Sequence, residues 1–137
     1  MAEKVAFDLV SPEKLLLSED VEMVVLPGVE GDIGVLPGHA PTITQIRMGT
    51  ICVFENGQVV KRLFVEGGFA EVMPERCTVL AEQATSLEDI ETSAVEQHIK
   101  DLRDEISLAD SAQERAALEA AIAVENGKLE AVNHPVY

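Results

Sequence analysis

The sequence predicts a β + α chain: a β-rich head followed by an antiparallel two-helix hairpin. Two observations carry that prediction. Apolar residues alternate or cluster in short runs up to about Ala84, and beyond it they recur at intervals of three and four. At 137 residues the chain has room for one ordinary domain of about 100 residues plus an appendage, so a single core should dominate. The composition says what kind of core. With 47% hydrophobic residues but only four Phe, one Tyr and no Trp, it is aliphatic, and the chain is too apolar for disorder.

In the head, Val5, Phe7 and Leu9 alternate with polar or small residues, the period of a half-buried strand. Val21 to Leu26 is a short apolar run. Glu55-Asn-Gly-Gln58 separates Ile51-Cys-Val-Phe54 from Val59 to Val65, and Asn-Gly between β-rich runs is the strongest short-range hairpin signal, because a type I′ turn needs positive φ at both central residues. Gly67-Gly68 and Met73-Pro-Glu75 punctuate two further runs, Phe69 to Val72 and Thr78 to Ala81. Short strands at regular spacing suggest a sandwich or a barrel. The stretch from Leu26 to Pro41, with glycines at 28, 31, 34 and 38, reads as successive tight turns, Pro where φ is fixed and Gly where it is positive.

After Ala84, Leu87, Ile90, Ala94/Val95, Ile99, Leu102 and Ile106 form one apolar helical stripe, with Ser86 as its expected N-cap. Ser111 followed by Glu114 has the spacing of a capping box and starts a second helix that runs to about Val132, stopped by Asn133 and Pro135. Its contact face is Leu118, Ala121, Ile122, Leu129 and Val132. Two such helices make an αα-hairpin. They bury little apolar area by themselves, so the hairpin should lean on the head, on a partner, or on each in turn. The domains expected are therefore 1–85 and 86–137.

The formal charge is −15 and the pI near 4.4, and the longest basic run is Lys61-Arg62, so neither nucleic acid nor anionic lipid is an expected partner. No apolar stretch approaches the ~20 residues of a spanning helix, which excludes direct insertion into lipid by such a helix. The amino-terminal residues Met1 to Asp8 lack the apolar run of a signal peptide, which points to the cytosol unless a partner carries the protein to a membrane. Cys52 and Cys77 lie in β-like apolar segments and read as buried thiols. Chemistry-bearing motifs are missing. The glycine-rich stretch has neither a Gly-Lys-Ser/Thr end nor a GxGxxG junction, and Glu30 and Asp32 would repel a phosphate. His39, His98 and His134 are far apart in sequence, and no nucleophile elbow or HExxH helix is present. No catalytic, metal or cofactor residue is expected.

The stretch from Val10 to Thr42, with its core Glu30-Gly-Asp-Ile-Gly-Val-Leu-Pro-Gly-His-Ala-Pro41, strongly resembles the epsilon subunit family of F-type ATP synthases, and so does Val65-Glu-Gly-Gly-Phe-Ala-Glu-Val72. The order of the two segments extends the resemblance over essentially the whole sequence. It implies a ten-stranded β-sandwich followed by an antiparallel hairpin. The role implied is that of a non-catalytic rotor subunit of the central stalk, bound to the gamma subunit and seated on the membrane c-ring. That places the protein peripherally on the cytoplasmic face of the inner membrane. In several bacterial members the hairpin also rises to the alpha/beta catalytic head and inhibits ATP hydrolysis.

By the same resemblance, the turn at Glu30, Gly31, Asp32, Ile33 and Gly34 matches the edge that meets the c-ring, where an acidic Asp32 suits basic or amide loop side chains. His39, with Ser11 and Thr42 as neighbours, matches the gamma-facing surface. Each of these residues also fits a purely structural turn role. Some members bind ATP through an Ile/Leu-Asp-x-x-Arg-Ala motif opening the first helix; here that stretch is Ile90-Glu-Thr-Ser-Ala-Val95. Ala94 in the arginine position removes the charge-assisted contact to phosphate, so no ATP site is expected, although Arg115 remains. The alternative to a rotor subunit is a free-standing adaptor whose hairpin pairs with another coiled coil; a nucleotide-sensing module is a third.

Overall fold

The structure is a computed structural model that describes residues 3–137; Met1 and Ala2, the start of the stretch read for a signal peptide, lie outside it. Ten strands come first: β1 Val5–Val10, β2 Leu15–Val21, β3 Met23–Gly28, β4 Gly31–Val35, β5 Thr42–Ile46, β6 Gly49–Glu55, β7 Gln58–Val65, β8 Gly68–Val72, β9 Arg76–Leu80 and β10 Ala84–Ser86. A 3-10 turn, Leu87–Asp89, precedes helices α1 Thr92–Ser107 and α2 Ala112–Asn133. The protein divides into two compact units, one running to Ser86 and including Tyr137, the other spanning Leu87–Val136.

All ten strands belong to one hydrogen-bonded sheet in the order β10-β7-β6-β3-β5-β8-β9-β1-β2, with β4 paired to β3 beside this path. The pairings are antiparallel except β1 with β9. The period-two residues all point one way: Val5, Phe7, Leu9, Val24, Leu26, Ile51, Val53, Val65, Ala70, Val72, Cys77 and Val79 form one buried cluster. Its aliphatic character follows from the composition. Asn56 and Gly57 have φ of 54° and 74° and join β6 to β7 by the expected I′-type turn, and the Asn56 N–H also donates to Glu22 Oε2 at 2.7 Å.

In the helical unit, Val95, Ile99 and Leu102 are the buried residues of α1, as the stripe predicts. The start of that helix differs from the expectation. Ser86 pairs with Leu63 as the last residue of β10, so its backbone is committed to the sheet. Leu87 then falls in the 3-10 turn, Ile90 precedes α1, and Glu91 stands at the N-cap without a side-chain bond. In α2, Ser111 Oγ accepts from Glu114 N at 3.0 Å, the first half of the capping box. The reciprocal bond reaches one residue further back, from Asp110 N to Glu114 Oε2 at 3.3 Å. Between Ile122 and Leu129 on the expected contact face lies Glu125, only 7% exposed. It meets His98 of α1 (Nδ1 to Oε2, 3.5 Å) and, within α2, Lys128 (Nζ to Oε1, 3.0 Å).

Candidate functional site

The β3–β4 hairpin carries the first group of expected contact residues. The turn itself is shorter than the sequence suggests. Gly28 pairs with Gly31, leaving Val29 and Glu30 at the tip, and Gly31 to Gly34 already lie in β4. Asp32 is thus an exposed strand residue opposite Pro27 and not a turn residue. The tightness of the turn explains Gly28, whose missing Cβ would lie 2.7 Å from the Gly31 carbonyl oxygen. Gly31 has φ of 134°, a conformation open to glycine. Glu30 is exposed, whereas Ile33 is half-buried and packs against the head's core.

Around Asp32 the fold assembles a polar cluster. Strand β3 crosses to β5 at Gly28 and Ile46, and the flanking bonds Val29 N to Gln45 O (3.0 Å) and Arg47 N to Pro27 O (2.8 Å) fix the backbone of Arg47 there. From that position Arg47 Nη1 donates to Gly28 O at 2.5 Å and Nη2 to Asp32 Oδ1 at 2.7 Å. The other carboxylate oxygen, Oδ2, accepts from the Tyr137 hydroxyl at 2.8 Å. Arg47 first, and then Tyr137, hold the Asp32 carboxyl below its ordinary value, while the same bond to Asp32 pushes the Tyr137 phenol up. Tyr137 has two further partners in the head. Arg62 Nη2 donates to its main-chain oxygen at 2.8 Å, and its ring meets Phe54 edge-on with centroids 6.0 Å apart.

The second expected group separates. His39 and Thr42 come together, since His39 Nδ1 lies 2.7 Å from Ala40 O and Thr42 Oγ1 donates to the same oxygen at 3.0 Å. Ser11 is elsewhere and buried: its hydroxyl donates to Lys14 O and accepts from Lys14 N, both at 3.2 Å. In the sheet Thr42 stands level with Val72, Cys77 and Phe7, while Ser11 follows Val10, which is level with Leu80. Four residues of strand, roughly 13 Å, lie between the two levels.

Sequence reasoning missed Arg47, Arg62, Phe54 and Tyr137. No local signal could have found them, because they reach Asp32 or each other across 15 to 105 residues of sequence. In the hairpin, Ala94 is exposed in the first turn of α1, and Arg115 sits at the start of α2. The antiparallel arrangement puts roughly 20 Å of helix between them, so Arg115 cannot supply the missing cation. Among the described residues no group of three His, Cys, Asp or Glu could hold a metal ion, and no helix is long and apolar enough to cross a membrane.

Two family models match, in this order: the beta-sandwich domain of the ATP synthase Delta/Epsilon chain, over residues 4–87, and the C-terminal domain of the ATP synthase epsilon chain, over residues 91–136. The ATP synthase epsilon chain of Rhodospirillum centenum is 51% identical over 137 residues, spanning 96% of this protein and 94% of that one. That of Rhodospirillum rubrum is 46% identical over 134 residues, 93% of this protein and 100% of the relative. Among solved structures, one subunit of the Euglena gracilis mitochondrial ATP synthase, OSCP/F1/c-ring in rotational state 1, aligns with a TM-score of 0.78 at 25% identity, covering 96% of this protein and 82% of its own length. A subunit of the Tetrahymena thermophila mitochondrial ATP synthase central stalk and c-ring shares the fold at 12% identity and a TM-score of 0.59, over 95% and 97%. With both of its segments matched in order and close relatives aligned over nearly their full length, the protein belongs to the ATP synthase epsilon chain family.

Proposed function

We propose that the protein is a non-catalytic rotor subunit of an F-type proton-translocating ATP synthase, joining gamma to the c-ring in the central stalk. In that role it couples proton flow to ATP synthesis from the cytoplasmic face of the inner membrane, as a peripheral protein. The observation that carries the reading is the paired match, which accounts for residues 4–87 and 91–136 as the two parts of one epsilon subunit. The Euglena subunit, seen in an assembly with F1 and a c-ring, supports the same placement. We assign residues 1–85 to gamma and ring binding and 86–137 to a helical arm. The Glu30 to Gly34 segment is the ring-facing edge, and His39 with Thr42 belongs to the gamma-facing one. Ser11 contributes there only through the turn it ties, since its hydroxyl is engaged with Lys14.

The arm is a poor candidate for strong inhibition. From Ser86 to Tyr137 it carries four basic and twelve acidic residues, a net of 4 − 12 = −8. A raised arm that docks through basic side chains on an acidic segment of the beta subunits would here set like charges together. Co-purification of the full-length protein with gamma and the c-ring in fixed stoichiometry tests the rotor reading; a protein recovered alone from solubilised membranes would favour a free-standing adaptor. ATP hydrolysis by the complex with the full-length protein and with residues 1–85 tests the arm. Near-equal rates are expected, and a several-fold rise on truncation would refute weak inhibition.

A further inference from the structure

Asp32 is the acid on which the ring-facing reading depends, and both of its oxygens are already engaged. Arg47 holds Oδ1 and is itself fixed by Gly28 and Pro27. The occupant of Oδ2 is of another kind. Tyr137 lies 105 residues downstream of Asp32, follows α2 by only a few residues, and keeps its place through three unlike contacts: its hydroxyl on Asp32, its main-chain oxygen on Arg62, and its ring on Phe54. These partners come from β4, β7 and β6. The residue remains more than half exposed, so no packed wall obstructs its departure.

We propose that Tyr137 is a built-in competitor for the Asp32 site, a neutral donor occupying the carboxylate oxygen that a cationic or amide-bearing loop of the membrane ring takes on docking. The inference rests on the reading of Asp32 as a ring contact. Arg47 leaves one carboxylate oxygen for a partner, and a loop lysine, arginine or amide donating there meets the phenol first. A charged donor gains more from the carboxylate than a phenol does, so displacement is favourable but opposed. By linkage, every factor that holds Tyr137 on the head weakens ring docking, and ring docking loosens Tyr137 by the same factor. Three residues therefore divide the work: Arg47 orients the anion, Asp32 presents it, and Tyr137 sets how readily it is yielded.

The test uses the full-length protein, its Tyr137→Phe and Asp32→Asn variants, and purified c-ring from the same synthase in detergent. Phe keeps the ring against Phe54 and removes only the hydroxyl. Because Tyr137 is the one tyrosine and no tryptophan is present, phenolate absorbance at 295 nm reports this residue alone in the isolated protein. Tyr137→Phe should tighten ring binding about three- to tenfold, the scale of one partly exposed charge-assisted hydrogen bond. Asp32→Asn should weaken it, and in the isolated protein should bring the phenol's titration down to its ordinary range. Unchanged or weaker binding by Tyr137→Phe, with Asp32→Asn still weakened, would overturn the competition and leave Asp32 as a ring contact. Ring binding indifferent to Asp32→Asn would remove the ring reading and the competition with it. A phenol titration that Asp32→Asn does not move would overturn the Tyr137 contact itself.

Discussion

Gly68→Ala is the substitution whose effect the head's geometry specifies most fully. Gly68 opens β8 opposite Ile46, one residue before the Phe69 and Leu80 pair, at φ of 145°. A Cβ built there would overlap the Leu80 carbonyl oxygen and lie 3.0 Å from its carbon and 3.2 Å from Ala81 Cα. All three are backbone atoms, so relief requires β8 and β9 to part and not a side chain to turn. Two penalties add: about 1–3 kcal/mol for an L-residue held in a glycine-only conformation, and about 1–3 kcal/mol for forced overpacking. The sum, roughly 4 kcal/mol, is a large share of a domain stability of about 5–15 kcal/mol. Gly31→Ala separates the two, since Gly31 has φ of 134° but nothing within 4 Å of its added Cβ. It should lose only the conformational part, about 2 kcal/mol. In urea unfolding followed by far-ultraviolet circular dichroism, a slope near 2 kcal/mol/M converts these into midpoint losses of about 2 M and about 1 M. Equal losses for the two variants would refute the backbone clash as the deciding term.

Three further outcomes follow from the same structure. The folded Asp32 carboxyl lies below its ordinary 3.8, so the unfolded state binds more protons in acid; the stabilisation is complete above about pH 4 and disappears as pH falls through the folded value, and Arg47→Gln should flatten that acid limb of a urea midpoint against pH curve. Cys77 is fully buried and its thiol is pushed up to about 12 by burial, so Ellman's reagent at pH 8 should label it only at the rate of unfolding. Glu125→Leu replaces a buried carboxylate on the hairpin's contact face with an aliphatic side chain and should leave helical stability unchanged or raise it by about 1 kcal/mol, whereas Lys128→Ala, which strips the carboxylate of its ammonium partner, should lower it by about 1–2 kcal/mol; thermal melts at 222 nm compare them.

What was legible in the sequence had a period or a fixed spacing. Val5, Phe7 and Leu9 revealed β1 because alternation is the geometry of a half-buried strand, and Asn56-Gly57 revealed its turn because few residue pairs accept positive φ twice. Ser111 and Glu114 revealed the start of α2 for the same local reason. Ser86 misled on that reasoning: a capping residue followed by an apolar stripe is a local signal, and the pairing of Ser86 with Leu63, 23 positions upstream, overrode it. Asp32 was singled out through a motif, but its placement on a strand and its bonds to Arg47 and Tyr137 depend on the crossing of β3 and β5 and on residues far along the sequence. Glu125 escaped because a contact face is read by selecting apolar residues, and a buried carboxylate is visible only once His98 and Lys128 are seen beside it.

The division of buried side chains gives the two units different capacities. The head closes a single, mainly aliphatic cluster contributed by strands far apart in sequence, and Phe7, Leu9, Leu26, Ile51 and Val53 within it are almost wholly buried. Strands far apart in sequence that share one core are tied into a common cooperative unit. The hairpin has four buried apolar residues, Val95, Ile99, Leu102 and Ala131, and places a carboxylate at the centre of its contact face. A polar group at such a position fixes register at the expense of stability. Most of the arm's other carboxylates are exposed, and their mutual repulsion acts against compaction. Tyr137 is the one residue beyond α2 that belongs to the compact unit of the head, and it is held there by its contacts with Asp32, Arg62 and Phe54 while remaining more than half exposed. Exposed contacts of that kind are exchangeable, which is the property that the proposed competition at Asp32 requires.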